Sequence, residues 1–169
     1  MRIRRTLIAT TAALALVLTP TLTACGGGAA ESIAENAAEN AMGGGDVEIN
    51  DEGVTVTDPS GNAMAAGDNV TLPDNWPSEV PVPDGGTLTF VTVTAEGGAS
   101  GIWTVDGTPA EAADAYAAAL TDAGYTEESN AAADGSVMKA FTGNGWTITL
   151  GASEADGTTS LTVAGSPDQ

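Results

Sequence analysis

The side chains able to do chemistry in this chain are few and nearly all of one kind. Cys25 is the only cysteine, histidine is absent, four residues are basic and 23 are acidic. Without an imidazole base, Ser-His-Asp and Cys-His nucleophile systems are excluded. Zinc, haem and copper sites lose their usual ligands. Carboxylates remain, and a pair of them suffices for glycoside hydrolysis. Asp106, Glu111 and Asp114 gather near one predicted helix start, but Glu111 stands where a helix cap needs it. Carboxylates also hold calcium, and Asp46-x-Glu48-x-Asn50-Asp51 has the opening letters of a calcium loop. The EF-hand pattern requires Gly where Asp51 stands and a bidentate Glu where Thr57 stands, so alternating strand residues account better for the same segment. These observations predict no catalytic residue, no metal ligand and no cofactor, and hence no enzyme.

Charge is distributed unevenly. Arg2, Arg4 and Arg5 precede an apolar run from Leu7 to Leu18, while every acidic residue follows Cys25, leaving Lys139 alone against 23 carboxylates. Nucleic acid is thereby excluded as a partner, because binding it needs clustered Lys and Arg. Self-repulsion of such a surface predicts a hydrated monomer.

The apolar run is too short for the about 20 residues that span a bilayer. It ends in Leu22-Thr23-Ala24-Cys25, small residues leading into a cysteine rather than into an ordinary cleavage site. This resembles the lipobox of bacterial lipoproteins. The resemblance implies removal of residues 1–24 as a signal peptide and diacylglyceryl and fatty-acyl (palmitate-like) modification of Cys25. Several acyl chains on one residue anchor a protein stably. Arg4-Arg5 is also similar to a twin-arginine signal, though adjacent arginines are common in ordinary export signals.

Four further segments must position whatever the domain does. Residues 25–45 read as a Gly/Ala/Glu spacer containing a short helix, with Ile33, Ala37 and Ala41 recurring at four-residue spacing. Residues 46–83 read as a small β segment followed by a proline-punctuated strap, Leu72 to Pro83, pinned by Trp76. Residues 84–165 read as the main domain, and 166–169 as a tail. Within it, two strands around Thr87–Thr94 and Gly101–Val105 precede a helix. Thr108-Pro109-Ala110-Glu111 is a capping box and Gly124 a stop. Ala112, Tyr116, Ala119, Leu120 and Ala123 are its predicted inner face. Three strands follow: Val137–Thr142, a strand from Trp146 to Leu150 reached through Asn144-Gly145, and a last one around Leu161 and Val163 after Asp156-Gly157. The predicted class is therefore α+β, an antiparallel sheet with one helix on one face in the order β-β-α-β-β-β. A slip in alternation between Phe90 and Val91 predicts a bulge or a change of buried face. Thr89, Thr147, Thr149 and Thr162 could line an open sheet face, a role threonine often fills simply as an exposed strand residue.

The acidic alanine-rich spacer, the Leu-Pro-x-x-Trp-Pro-x-x-Val-Pro strap and the Thr-Pro-x-Glu helix ending in Ala-Gly-Tyr resemble uncharacterised surface lipoproteins of high-GC Gram-positive bacteria. That resemblance implies an extracytoplasmic protein held at the cell membrane by Cys25, and no activity. The expected function is a non-catalytic binding or structural module of the cell envelope, with an envelope protein or polymer as partner. A carrier of a lipid or small apolar ligand held between helix and sheet is the alternative, and a carboxylate-based hydrolase the next.

Overall fold

Three Asx-Gly pairs set the framework of the second half. Asp134-Gly135, Asn144-Gly145 and Asp156-Gly157 all have positive φ at both residues, 50° and 78°, 53° and 77°, and 53° and 77°. Two such residues in succession make the type I′ turn whose twist matches that of the flanking strands. They join β6 (Thr126–Ala133), β7 (Ser136–Gly143), β8 (Trp146–Ala155) and β9 (Thr158–Pro167). The computed structural model describes Glu35, Asn36, Glu39 and residues 44–168. The expected signal peptide, Cys25 and the Ile33-Ala37-Ala41 stripe of the spacer lie outside the described residues, although Glu35, Asn36 and Glu39 are helical.

The first half contributes β1 (Asp46–Asn50), β2 (Gly53–Thr57), β3 (Ala63–Gly67), β4 (Thr87–Val93) and β5 (Ala99–Val105). All nine strands form one antiparallel sheet in the order β1-β2-β3-β4-β5-β9-β8-β7-β6. The α+β class is as the sequence predicts, with two corrections. The segment at 46–67 is three strands that continue the main sheet through β3 and β4. Four strands, not three, follow the helix, because β6 was not foreseen.

The helix α1 (Pro109–Asp122) begins with the predicted capping box. Its 14 residues give a length of about 21 Å, close to four strand spacings of about 4.8 Å. It therefore carries the chain from β5 across β9, β8 and β7 to the far edge at β6, and packs on those four strands. Its buried residues are Pro109, Ala112, Ala113, Tyr116, Ala117 and Leu120. Ala119 and Ala123 are not among them, so the inner face is rotated from the predicted one. Alanine on every side of the helix gives periodicity little to act on.

The strap covers the part of the same sheet face that α1 does not reach. Trp76 meets Trp103 edge-on, ring centroids 5.9 Å apart, and its Nε1 donates to Val80 O at 2.9 Å. Two buried tyrosines hold the strap's backbone: Tyr116 Oη donates to Pro81 O at 2.7 Å and Tyr125 Oη to Glu79 O at 2.8 Å. The indole of Trp103 folds back over Gly101, where any Cβ would collide with it. Thus one sheet face is sealed by a helix and a strap over a core of Trp103, Phe141, Leu120, Ile148, Leu150 and Leu161.

Candidate functional site

The carboxylates expected near the helix start are separated by the fold. Asp106 and Glu111 line a surface cleft of about 520 Å³ with Asp84 and Tyr116, but Asp114 pairs elsewhere, with Lys139 Nζ at 2.7 Å. Glu111 Oε2 accepts from Thr108 N and Thr108 Oγ1, both at 2.9 Å, while Glu111 N donates to Thr108 Oγ1 at 3.3 Å. Those bonds from Thr108 lower the Glu111 pKa from its ordinary value. A general acid needs the opposite shift, so the cap and an acid role conflict.

Lys139, the single basic residue after Arg5, is buried on β7 beneath α1. Its ammonium also lies 3.5 Å from Glu127. The hydrogen bond that it donates to Asp114 is the main cause of its raised pKa, opposed by burial. It is a structural tie between helix and sheet.

Around Asp46 the acids diverge. Glu48, Glu52 and Asp74 line an open cleft of about 470 Å³ between β1–β2 and the strap, whereas Asn50 Oδ1 accepts from the backbone of Glu52 and Gly53 and closes the hairpin. Among the described residues no group of three or more carboxylates has the geometry to hold a metal ion. Tyr116, Leu120, Phe141, Ile148, Leu150 and Val163 pack together between α1 and the sheet, and the cleft of about 520 Å³ opens beside them, lined by Ala112, Ala115 and Ala119 of α1 and by Val105 and Leu161 of the sheet.

Among the described residues the other face of the sheet carries neither α1 nor the strap, and its chemistry is unlike the rest of the surface. Directly opposed residues of antiparallel strands point to the same side, so register alone maps it. One row runs Ile49, Val54, Ala66, Phe90 and Ile102 across β1 to β5, then Thr162, Gly151, Met138 and Ala131 across β9 to β6. The next row holds Val47, Val56, Met64, Thr92, Ser100, Ala164, Thr149 and Ala140, of which Val47, at the β1 end, is buried. Among the described residues, no lysine, arginine, aspartate or glutamate of β1–β5 or β7–β9 belongs to this face. Carboxylates mark only its border: Glu128, at the irregularity in β6, accepts from Thr142 Oγ1 at 2.9 Å, and Asp168 from Thr147 Oγ1 at 3.1 Å. Met138 and Met64 are its most open apolar side chains, 61% and 42% exposed.

Of the threonines singled out by sequence, Thr147, Thr149 and Thr162 lie on this face. Thr89 is the extra residue of a bulge between Leu88 and Phe90, one position before the expected slip, and its Oγ1 donates to Ile102 O at 3.2 Å. The wider neutral surface escaped sequence reading because it exists only once the pairing is known. At the β1 end the face meets the spacer: Glu35 Oε1 accepts from Ile49 N at 2.9 Å, which satisfies an outward N–H of an edge strand and blunts that edge against pairing. Set against protein families, curated proteins and solved structures, the chain matches none of them.

Proposed function

We propose that this protein is a non-catalytic, lipid-anchored module on the extracytoplasmic side of the cell membrane that binds a partner through the uncharged face of its sheet. The observation that carries the reading is the segregation of charge. Burying an ionised carboxylate without a partner is very costly, whereas hydroxyls and methyls can be desolvated at small cost or with a gain. On a chain with 23 acidic residues, the region free of them is the one most easily covered. The anchor rests on Leu22-Thr23-Ala24-Cys25, and Cys25→Ser is expected to move the protein from the membrane to the soluble fraction.

The binding face is tested on intact cells carrying the anchored protein. A photo-crosslinking side chain at Thr149, exposed on the open face, is expected to trap an adduct that the same group at Glu48, exposed on the opposite face, does not. No adduct from Thr149, or equal yields from both positions, would sink the reading.

A further inference from the structure

We infer that the partner of the uncharged face is a second copy of this chain, packed sheet against sheet about a two-fold axis that runs along β9. The inference rests on the reading of this face as the binding surface. Size is its first support. A stable protein interface takes about 20–30 residues from each partner, and the two rows described, with the Ser and Thr residues flanking them, supply that many from one face with carboxylates only at its border.

Shape is the second support. Along the central row, outward from Thr162 on β9, Ile102 lies one strand away on one side and Gly151 one strand away on the other. Two strands away stand Phe90 and Met138, and three strands away Ala66 and Ala131. A two-fold axis in the plane of the interface and parallel to β9 exchanges the two sides. It therefore sets Ile102 of one copy over Gly151 of the other, Phe90 over Met138, and alanine over alanine. Gly151 is where a hollow exists: a depression of about 410 Å³ opens there, bordered by Met138, Ser153 and Thr162. The bulky residues of one half of the face thus meet the concave half of the other, and phenylalanine meets a methionine sulfur, a favourable contact. Small residues elsewhere permit the about 10 Å approach of aligned sheets.

Charge fits the same arrangement. The seven strands β3 to β6 that β9 centres would lie in the contact, while β1, capped by Glu35, would overhang it. Glu128 and Asp168 stand at the border of the contact, and the other acids of both copies lie in the turns and on the outer faces, where salt screens them.

The test is thiol crosslinking in the membrane-anchored protein. Cys25 is the only native cysteine, so the chain without further cysteines is the blank. Thr162→Cys, on the axis, is expected to give a product of twice the monomer mass with a short bismaleimide. Thr55→Cys, on the other sheet face, is expected to give none. Co-expressed Ile102→Cys and Gly151→Cys chains carrying different tags should join to each other at least tenfold more than Ile102→Cys joins to itself. Gly151→Leu fills the hollow without backbone strain, since Gly151 has no positive φ and Thr162 Cβ at 4.0 Å is its nearest neighbour. It should lower the Thr162→Cys yield about tenfold while the melting curve stays cooperative. A Thr162→Cys yield no higher than that of Thr55→Cys overturns the inference. If Thr149 meanwhile traps a different molecule, the binding reading stands and only the second copy is refuted. If Thr149 traps nothing, both fall.

Discussion

The two faces of this sheet are made from the same strands and solve opposite problems. On the covered face, most alternate residues of β5, β7, β8 and β9 are buried under α1 or the strap, and Trp103, Phe141, Ile148 and Leu150 are all at most 2% exposed. On the open face the alternate residues of those strands are Ser, Thr, Ala, Gly, Met and Ile. Strand propensity alone does not explain the absence of charge there. Where the covered face outruns its cover, at β1, the strand carries Asp46 and Glu48, both exposed. Acids are thus accepted at open strand positions on one side and missing from them on the other. Neutrality of a whole face, in a chain this acidic, is a property of the side and not of the strand.

The largest expected contrast is in stability. Phe141→Ala should cost about 3–5 kcal/mol, since truncating a buried aromatic removes its transfer energy and leaves a cavity. Thr149→Lys, eight residues on and facing the other way, should change stability by less than about 0.5 kcal/mol. Urea unfolding of both variants, at a protein concentration low enough to keep copies apart, checks the comparison, and similar costs would mean that the open face is packed against something in the same molecule.

Next in size is the strap, which the covered face needs and the open face lacks. Tyr116→Phe keeps the ring under the strap and deletes the bond to Pro81 O, so a loss of about 1 kcal/mol is expected. Burial holds the Tyr116 phenol far above its ordinary pKa, so the hydroxyl remains a donor throughout the accessible range. Thr108→Ala should cost a similar amount, about 1 kcal/mol, through the N-cap of α1. Equal stability of the Tyr116→Phe variant and the parent would mean that Trp76 and the Tyr125 bond to Glu79 O hold the strap without it.

How far the sequence discloses this arrangement depends on which side chains carry signal. The capping box, the Asn144 and Asp156 turns and the alternation of Trp146, Ile148 and Leu150 were legible because each imposes a local rule. The strand β6 was not. All eight of its residues are exposed, so Thr126–Ala133 shows no alternation, and it is an edge strand with β7 as its one strand neighbour. Asp134-Gly135 was the available clue, since an Asp-Gly pair next to the strand beginning at Ser136 implies a partner strand before it. The bulge was legible to within one residue. The open face lay beyond reach for a different reason: its rows join residues as distant as Ile49 and Met138, and single-strand patterns do not say which strands are neighbours.

A smaller effect separates the faces by pH. Lys139 ties the covered face to α1 through Asp114, and its pKa is raised above the ordinary 10.5. A raised pKa means that the folded state holds the proton more tightly than the unfolded one. The contribution is therefore complete below pH about 10.5 and lost as pH rises through the folded-state value. Lys139→Met retains most of the buried stem and removes the ammonium. Its melting temperature should lie below the parent's at pH 8, and the gap should narrow above pH 10.5. A gap independent of pH would show that packing of the stem, rather than the bond to Asp114, is what matters.

The smallest expected effect concerns the acids themselves. One ammonium among 23 carboxylates leaves repulsion unbalanced, and because the open face holds none of those charges, they are concentrated on the remaining surface. Salt of any kind should relieve this, with a Debye length falling to about 8 Å at physiological ionic strength. A rise in melting temperature of about 2–5 °C between low and moderate NaCl is the scale expected for less than about 1 kcal/mol. Calcium chloride at matched ionic strength should give nearly the same rise, since Glu48, Glu52 and Asp74 share a cleft but do not converge on one point, as the about six to eight oxygens around a calcium ion must. A one-to-one calcium isotherm at micromolar affinity would reverse the comparison, making the acid-bearing side the binding side, and Glu48→Gln would then be the first variant to abolish it.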